Sequence, residues 1–277
     1  MPGFKPRHLL ALVDLSPASS LVLCWTRLFA QAFASEVEVL HAVVPPQFVF
    51  EGQEQVQTEL SKTELHAAVG RLAQENLGNK VPCRIVVEEG HPVQVVMAYL
   101  QRHTPDLIVM GSHGHDGMAR VMLGSVAENV VRVARCPMLI VRGAEPAESR
   151  LNQILCPIAL SRTPADCTQV AGILATLLGA KLEVATVVQG SEPSDGIEQV
   201  LRARVSDGLR RACAVTEAVL RGDAAEQIVE RSRAAGADLV VLGIEHRPFL
   251  EFTTLGRTTE RVMRYSPCSV LLVPRSA

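Results

Sequence analysis

The feature that most constrains the fold of this chain is an internal repeat. When the sequence is shifted against itself by 132 residues, Gly111 aligns with Gly243 and Gly124 with Gly256. The same shift aligns other identical residues: Gly90 with Gly222, Asp106 with Asp238, Glu128 with Glu260, Arg132 with Arg264, Cys136 with Cys268 and Val141 with Val273. One unbroken register from position 90 to position 141 indicates a duplicated unit.

The two copies differ in length between their second and third strands. Segment 9–16 (LLALVDLS) matches 154–161 (ILCPIALS), a shift of 145 rather than 132, so we expect the second copy to lack 13 residues there. A chain of 277 residues holds two domains of ordinary size. We place these domains at 1–143 and 150–277, with the polar segment GAEPAESR (143–150) joining them.

Strands and helices are predicted to alternate in each copy, which is typical of a parallel α/β sheet. The apolar content is mostly Val, Leu and Ala with 4% aromatic residues, which suits buried strands covered by helices. Ser16-Pro17 and His91-Pro92 are each predicted to open a helix, with Ser16 as an N-cap. The predicted strands are 8–14, 36–43, 82–87, 106–110 and 137–141, then 153–158, 181–187, 212–218, 238–242 and 269–273; the predicted helices of the first copy are 17–33, 56–77, 92–103 and 122–134.

Composition excludes several classes of function. A formal net charge of −2 gives no reason to expect a nucleic-acid or anionic-membrane partner. No segment approaches the roughly 18 unbroken apolar residues of a membrane span. The N-terminal segment 1–16 lacks a long apolar region and a cleavage site, so we expect a first strand and a cytoplasmic protein. Seven cysteines without a C-x-x-C pair are expected to be mostly small buried apolar residues.

The glycine pattern of the first copy predicts a phosphate pocket. Strand 107–110 (LIVM) leads directly into Gly111, followed by Gly114 and then by Gly124-Ser125. Ligands of open parallel sheets bind beyond the carboxyl ends of the strands. Glycines there let backbone N–H groups approach phosphate oxygens, and the following helix offers its positive N-terminus. The spacing differs from a Walker P-loop and from G-x-G-x-x-G, and a tight surface turn without a ligand is the alternative.

Two further residue types lie near this pattern. Asp14, at the carboxyl end of the first strand, is a candidate to accept hydrogen bonds from a ribose or base, or to help hold Mg²⁺. The alternative is that Asp14 only ends the strand and caps a turn. His113 and His115 lack the companion ligands of a zinc site, so we favour a phosphate contact for one of them over metal binding.

Segment 110–142 (MGSHGHDGMARVMLGSVAENVVRVARCPMLIVR) resembles the universal stress protein signature, G-x2-G-x9-G-[S/T] followed by a helix and a C-P-x-L-x-V strand. Segment 9–19 (LLALVDLSPAS) resembles the opening strand of that family. The resemblance covers both halves, so the chain resembles a tandem universal stress protein. Its first copy resembles the ATP-binding branch.

This resemblance implies two Rossmann-like domains, each a five-stranded parallel sheet in the order 3-2-1-4-5. ATP, with or without Mg²⁺, would lie beside strands 1 and 4, with Asp14 at its adenosine end. The other implied contacts are Leu12, Val13 and Val43 around the base, and Met110, Gly111, His113, Gly114, Gly124, Ser125 and Val126 around the ribose and phosphates. The family's pairing through fifth strands implies that 137–141 lies beside 269–273 in a pseudo-twofold monomer, with a further homodimer left open.

The second copy departs from the signature at several positions. Ala159 stands where the first copy has Asp14, His246 replaces Gly114, and Arg257 replaces Ser125. Pro248 and Phe249 also stiffen and fill the loop. Because a side chain at a glycine position obstructs close backbone approach, we expect a structural partner there, or a site for a different anion.

The leading hypothesis is an ATP-binding protein of stress response or regulation whose nucleotide sets its conformation or its choice of an unidentified protein partner. One alternative is a slow ATPase, although the sequence shows no clear general base, no Ser-His-Asp set and no nucleophile elbow. The other is a structural or interaction protein with empty clefts.

Overall fold

The computed structural model describes residues 3–44, 61–112, 123–146, 150–160, 165–190, 194–244 and 256–274. Strands and helices alternate along both halves of the chain, as predicted. The first half contains β1 (His8–Val13), α1 (Pro17–Phe33), β2 (Glu36–Val43), α2 (Lys62–Leu77), β3 (Cys83–Glu89), α3 (Pro92–Arg102), β4 (Leu107–Gly111), α4 (Ser125–Val133) and β5 (Met138–Val141). The second half contains β6 (Gln153–Pro157), α5 (Ala165–Leu178), β7 (Lys181–Val188), α6 (Ser194–Arg204), α7 (Asp207–Ala212), β8 (Val215–Arg221), α8 (Ala224–Ala234), β9 (Leu239–Ile244), α9 (Arg257–Tyr265) and β10 (Ser269–Pro274).

One predicted strand begins too early. The sequence places a strand at 212–218, but residues 207–212 form α7 and β8 begins at Val215. Ser206 starts this helix, because its side chain accepts a hydrogen bond from the Leu209 N–H at 3.2 Å. Leu209 in turn packs on α5, where its Cδ1 lies 2.3 Å from the position that a Cβ on Gly172 would take. Helix α7 therefore occupies Ala212, the first residue that the sequence assigned to the strand.

The length difference between the copies lies where the registers predicted. The connection from β2 to β3 covers residues 44–82 and that from β7 to β8 covers 189–214, a difference of 13 residues. In the first half, Ser61 begins α2 with a capping box: the Glu64 N–H donates to Ser61 Oγ, and the Ser61 N–H donates to the Glu64 carboxylate. The shorter second copy replaces this helix with α6 and α7.

The ten strands form one sheet in the order β3-β2-β1-β4-β5-β10-β9-β6-β7-β8. Each half has the predicted order 3-2-1-4-5 in its own numbering, and all pairs within a half are parallel. The halves meet through β5 and β10, which pair antiparallel with Ile140 opposite Val270 and Met138 opposite Leu272. The predicted internal pairing is confirmed, and it makes the two five-stranded sheets continuous.

Helices cover both faces of this sheet, so the strands are apolar on both sides. Alternate residues of β1 enter different cores: Leu9 and Ala11 pack on the side of α1, and Leu10 packs on the side of α3 and α4. Trp25 and Phe29 of α1 are almost fully buried in the first core. No helix among the described residues is long and apolar enough to cross a membrane.

Candidate functional site

The carboxyl ends of β1 and β4 lie side by side at one edge of the sheet. These strands are parallel neighbours with Leu12 opposite Met110, so Asp14 and Gly111 follow at the same edge. The end of β2, at Val43, joins them because β2 is the other neighbour of β1. The structure therefore brings together the predicted strand-end residues of the first copy. His113 and Gly114 lie outside the described residues.

The two ends of the glycine loop are held together by a backbone hydrogen bond. The Gly124 N–H donates to the Ser112 carbonyl at 2.8 Å, and the Ser112 N–H donates to the Val141 carbonyl at 3.2 Å. Gly124 is the N-cap of α4, with φ −65° and ψ 148°, and as a glycine it has no side chain with which to cap this helix. Any residue adopts that conformation, so glycine contributes the absence of a side chain beside the helix N-terminus.

This N-terminus is chemically suited to an anion. Ser125 and Val126 occupy the first two positions of α4, and the N–H groups of a first helical turn have no partner within their own helix. Ser125 is exposed and Val126 is half-buried. The positive end of the helix dipole points in the same direction as these N–H groups. Glu128 also lies in the first turn and offsets part of that positive potential.

Asp14 organises the turn that follows β1. Its Oδ1 accepts hydrogen bonds from the Ser16 N–H at 3.0 Å, the Ser16 hydroxyl at 2.6 Å and the Ser19 hydroxyl at 2.9 Å. The Asp14 N–H donates to Ser19 Oγ at 3.1 Å, and Leu15 between them has φ +63°. The turn-capping interpretation of Asp14 is therefore correct for Oδ1. Ser16 does occupy the N-cap of α1, but its hydroxyl binds Asp14 rather than capping the helix.

Two residues that the sequence did not single out also reach this edge. The buried ring of His41 places Nδ1 3.0 Å from the Val13 carbonyl, at the end of β1. Arg142, directly after β5, donates from Nε to Ser112 Oγ at 3.4 Å. Neither belongs to a recognisable motif. His41 follows the strand alternation of β2, and Arg142 is the residue after the last strand of the copy.

The universal stress protein family model matches residues 5–142 and again residues 151–274. The chain belongs to the universal stress protein family. Universal stress protein MJ0531 of Methanocaldococcus jannaschii is 35% identical over 118 residues, which is 41% of this chain and 68% of that protein. Universal stress protein A homolog 1 of Coxiella burnetii is 27% identical over 140 residues, which is 49% of this chain and 95% of that protein.

The whole fold also has a counterpart among solved structures. A crystal structure of a universal stress protein from Archaeoglobus fulgidus matches with a TM-score of 0.73 at 20% identity and covers 97% of this chain and 98% of that chain. At this identity the likeness concerns the fold alone. Since the family model matches twice, this chain is a tandem universal stress protein.

The second half of this universal stress protein has a different edge. Gly243 lies in β9, and a Cβ added there would stand 3.4 Å from Cys167 Sγ, at ordinary contact distance. Gly256 is the N-cap of α9, with φ −62° and ψ 140°, close to the geometry of Gly124. Exposed Arg257 follows as the first residue of the helix. His246, Pro248 and Phe249 lie outside the described residues.

Four cysteines of the described segments are buried: Cys24, Cys156, Cys167 and Cys268. Burial raises the pKa of Cys136 to about 12 and that of Cys268 to about 11. A hydrogen bond between the thiols of Cys156 and Cys167 raises the pKa of Cys156 and lowers that of Cys167. The described residues contain no group of three or more metal-ligating side chains; His113 and His115 lie outside them.

Proposed function

We propose that this universal stress protein binds ATP at the edge formed by β1, β4 and α4 of its first half, and that occupancy sets its conformation or its choice of protein partner. The observation that supports the proposal is the meeting of two strand ends with a helix N-terminus whose N-cap is a glycine, across the Ser112–Gly124 hydrogen bond. Parallel sheets bind ligands at such edges, and helix N-termini bind phosphates. We place this activity in the cytoplasm and in stress response.

The residues present fit a nucleotide. Apolar strand ends at Leu12, Val13 and Val43 offer the base a partly buried apolar surface. The proposed ribose and phosphate contacts are Asp14, Met110, Gly111, His113, Gly114, Gly124, Ser125 and Val126. The N–H groups at the start of α4 would donate to phosphate oxygens that carry negative charge, which makes those hydrogen bonds stronger than neutral ones.

Mg²⁺ has weaker support than ATP. Asp14 Oδ1 already accepts three hydrogen bonds from Ser16 and Ser19, so a metal ion at that oxygen would displace them. We therefore propose Asp14 mainly as a group that fixes the β1–α1 turn beside the adenosine. In the second half Ala159 has no carboxylate and Arg257 replaces the helix-start serine. We therefore propose that the second half is a structural partner of the first half and has no ATP site.

A matched pair of variants tests the proposal. Gly124→Val and Gly256→Val change equivalent N-caps whose extended backbones both tolerate valine. Calorimetry should show ATP binding to the unchanged protein and to Gly256→Val, with the affinity of Gly124→Val at least about tenfold weaker, because the added methyl groups crowd the phosphates. ATP at 100 times Kd should stabilise the fold by about 2.7 kcal/mol.

Three results separate the alternatives. Absence of ATP binding to the unchanged protein, together with absence of nucleotide in material released from the denatured protein, would overturn the proposal in favour of a structural role. Equal losses of ATP affinity in the two valine variants would contradict the placement of the site in the first half. Steady phosphate release would assign ATPase activity in addition to binding, and titrations with and without Mg²⁺ decide the role of the metal.

A further inference from the structure

The backbone at the end of β5 is fastened to the second half of the chain. The Arg142 N–H donates to Ser269 Oγ at 3.1 Å, and the Ser269 hydroxyl donates to the Arg142 carbonyl at 3.0 Å. Gly143 follows with φ +77°, and its backbone lies so close to Pro267 that an added Cβ would stand 2.6 Å from the Pro267 carbonyl oxygen. The backbone position of Arg142 is therefore fixed by residues of the second half.

The Arg142 guanidinium binds the C-terminus of α9. Its Nη1 donates to the carbonyls of Met263 at 3.3 Å and Ser266 at 3.4 Å, and also to the Arg264 carbonyl. Carbonyls of a last helical turn lack partners within the helix, and the helix dipole favours a cation at this end. Arg142 thus caps a helix of the second half from the last strand of the first half.

The sequence of α9 explains why these carbonyls need an outside donor. The residue four positions after Met263 is Pro267, which has no N–H. The residue four positions after Arg264 is Cys268, whose N–H donates instead to Ser266 Oγ at 3.3 Å. Both carbonyls would otherwise remain without their usual helical donors, so the guanidinium supplies hydrogen bonds that α9 itself does not make.

The same guanidinium reaches the stem of the glycine loop. Its Nε donates to Ser112 Oγ at 3.4 Å, and the Ser112 carbonyl accepts the Gly124 N–H that positions the N-cap of α4. The repeat register places Pro274 where the first half has Arg142. Proline has neither a cation nor an N–H, so Pro274 cannot form the equivalent bridge.

We infer that Arg142 is a positioning residue through which the second half holds the phosphate-binding edge of the first half. The inference rests on the proposed function for the identity of the ligand, a nucleotide phosphate. It gives the second half a defined task even without an ATP site: α9 anchors the guanidinium that holds the Ser112–Gly124 stem. Lysine has a single point charge and cannot span both anchors as the planar guanidinium does.

Hydrogen exchange of the full chain tests this inference without depending on ATP. In ligand-free Arg142→Gln, exchange of the Gly124 N–H and the first turn of α4 should be about tenfold faster, because the stem loses a charged donor. Arg142→Lys should restore little of this protection. The control is Arg102→Gln, which removes a surface guanidinium bound to Glu88 at 2.9 and 3.0 Å and should leave α4 unchanged.

Ligand binding provides a readout that a merely structural role would not change. Arg142→Gln should weaken ATP binding by about tenfold and weaken adenosine binding much less, since the proposed site has the phosphates of ATP at the stem. Where Arg142→Gln fails to fold, Ser112→Ala removes the acceptor of Nε, keeps the contacts with α9 and should give the same faster exchange. Unchanged exchange at Gly124 in a folded variant, or an equal loss for ATP and adenosine, would overturn the inference. If the unchanged protein binds no ATP, the proposed function fails while the ligand-free exchange still decides the role of Arg142.

Discussion

Replacing Gly143 with alanine is the sharpest test of how the two halves are joined. Gly143 lies two residues beyond the end of β5, the strand whose antiparallel pairing with β10 connects the sheets. It combines two features that oppose a side chain: φ is +77°, and an added Cβ would stand 2.6 Å from the Pro267 carbonyl oxygen and 3.3 Å from Cys268 Cα. Both neighbours are backbone atoms, so neither moves aside as a flexible side chain would.

The expected loss is the sum of two costs. The left-handed backbone conformation costs a residue with a Cβ about 1–2 kcal/mol. Relieving an overlap within a packed region typically costs about 1–3 kcal/mol. The free energy of unfolding should therefore fall by about 2–5 kcal/mol, which lowers Tm by roughly 3–9 °C for a chain of this size.

A matched glycine separates these costs. Gly179 has φ +67° and nothing within 4 Å of an added Cβ, so Gly179→Ala should incur only the conformational cost of about 1–2 kcal/mol. Urea unfolding of both variants measures the difference. If the free energies of unfolding of Gly143→Ala and Gly179→Ala differ by less than about 1 kcal/mol, the overlap with Pro267 has no energetic consequence. The close backbone packing of Gly143 against Pro267 would then not stabilise the junction of the two halves.

Two further predictions concern buried polar groups. Glu183 of β7 is 3% exposed. Its carboxylate accepts hydrogen bonds from Arg231 Nε at 2.6 Å and from Arg231 Nη2 at 2.9 Å. Glu183→Gln removes the charge from this pair and should lower the free energy of unfolding by about 1–3 kcal/mol in urea titration, whereas an unchanged value would show that the pair is energetically neutral. Burial raises the pKa of Cys268 to about 11, so the native thiol should resist iodoacetamide at pH 8 and react faster as pH rises toward 11. Mass spectrometry of labelled protein checks this, and rapid labelling at pH 7 would contradict it.

The elements of the fold were largely predictable because their causes are local. Strand and helix patterns, the Pro17 and Pro92 helix starts and the two repeat registers all lie within short segments. The strand predicted at 212–218 is present, but its predicted start was three residues too early, because residues 207–212 form α7 and β8 begins at Val215. At the site, the ends of β1, β2 and β4 lie within one residue of their predicted positions, and α4 begins at Ser125, three residues after the predicted start of the helix at 122. The nucleotide contacts themselves stay predictions.

Side-chain partners at the site were not predictable to the same extent. The sequence offered Asp14 either as a ligand group or as a turn cap, and only the placement of Ser16 and Ser19 showed what its Oδ1 binds. His41 reaches the Val13 carbonyl because β2 and β1 are neighbours in register. Such contacts depend on which elements become neighbours, and this is not encoded in any one segment.

The sequence by itself determined a duplicated α/β fold, the location of one intact glycine pattern and the asymmetry between the copies. Those properties follow from residue types at fixed spacings. The family resemblance also implied the pairing of the two last strands, which the structure confirms. Only the tertiary structure decided that Arg142 connects the Ser112 stem with the end of α9. Arg142 and Met263 are 121 residues apart. They meet only because the antiparallel pairing of β5 with β10 carries the end of one copy to the last helix of the other.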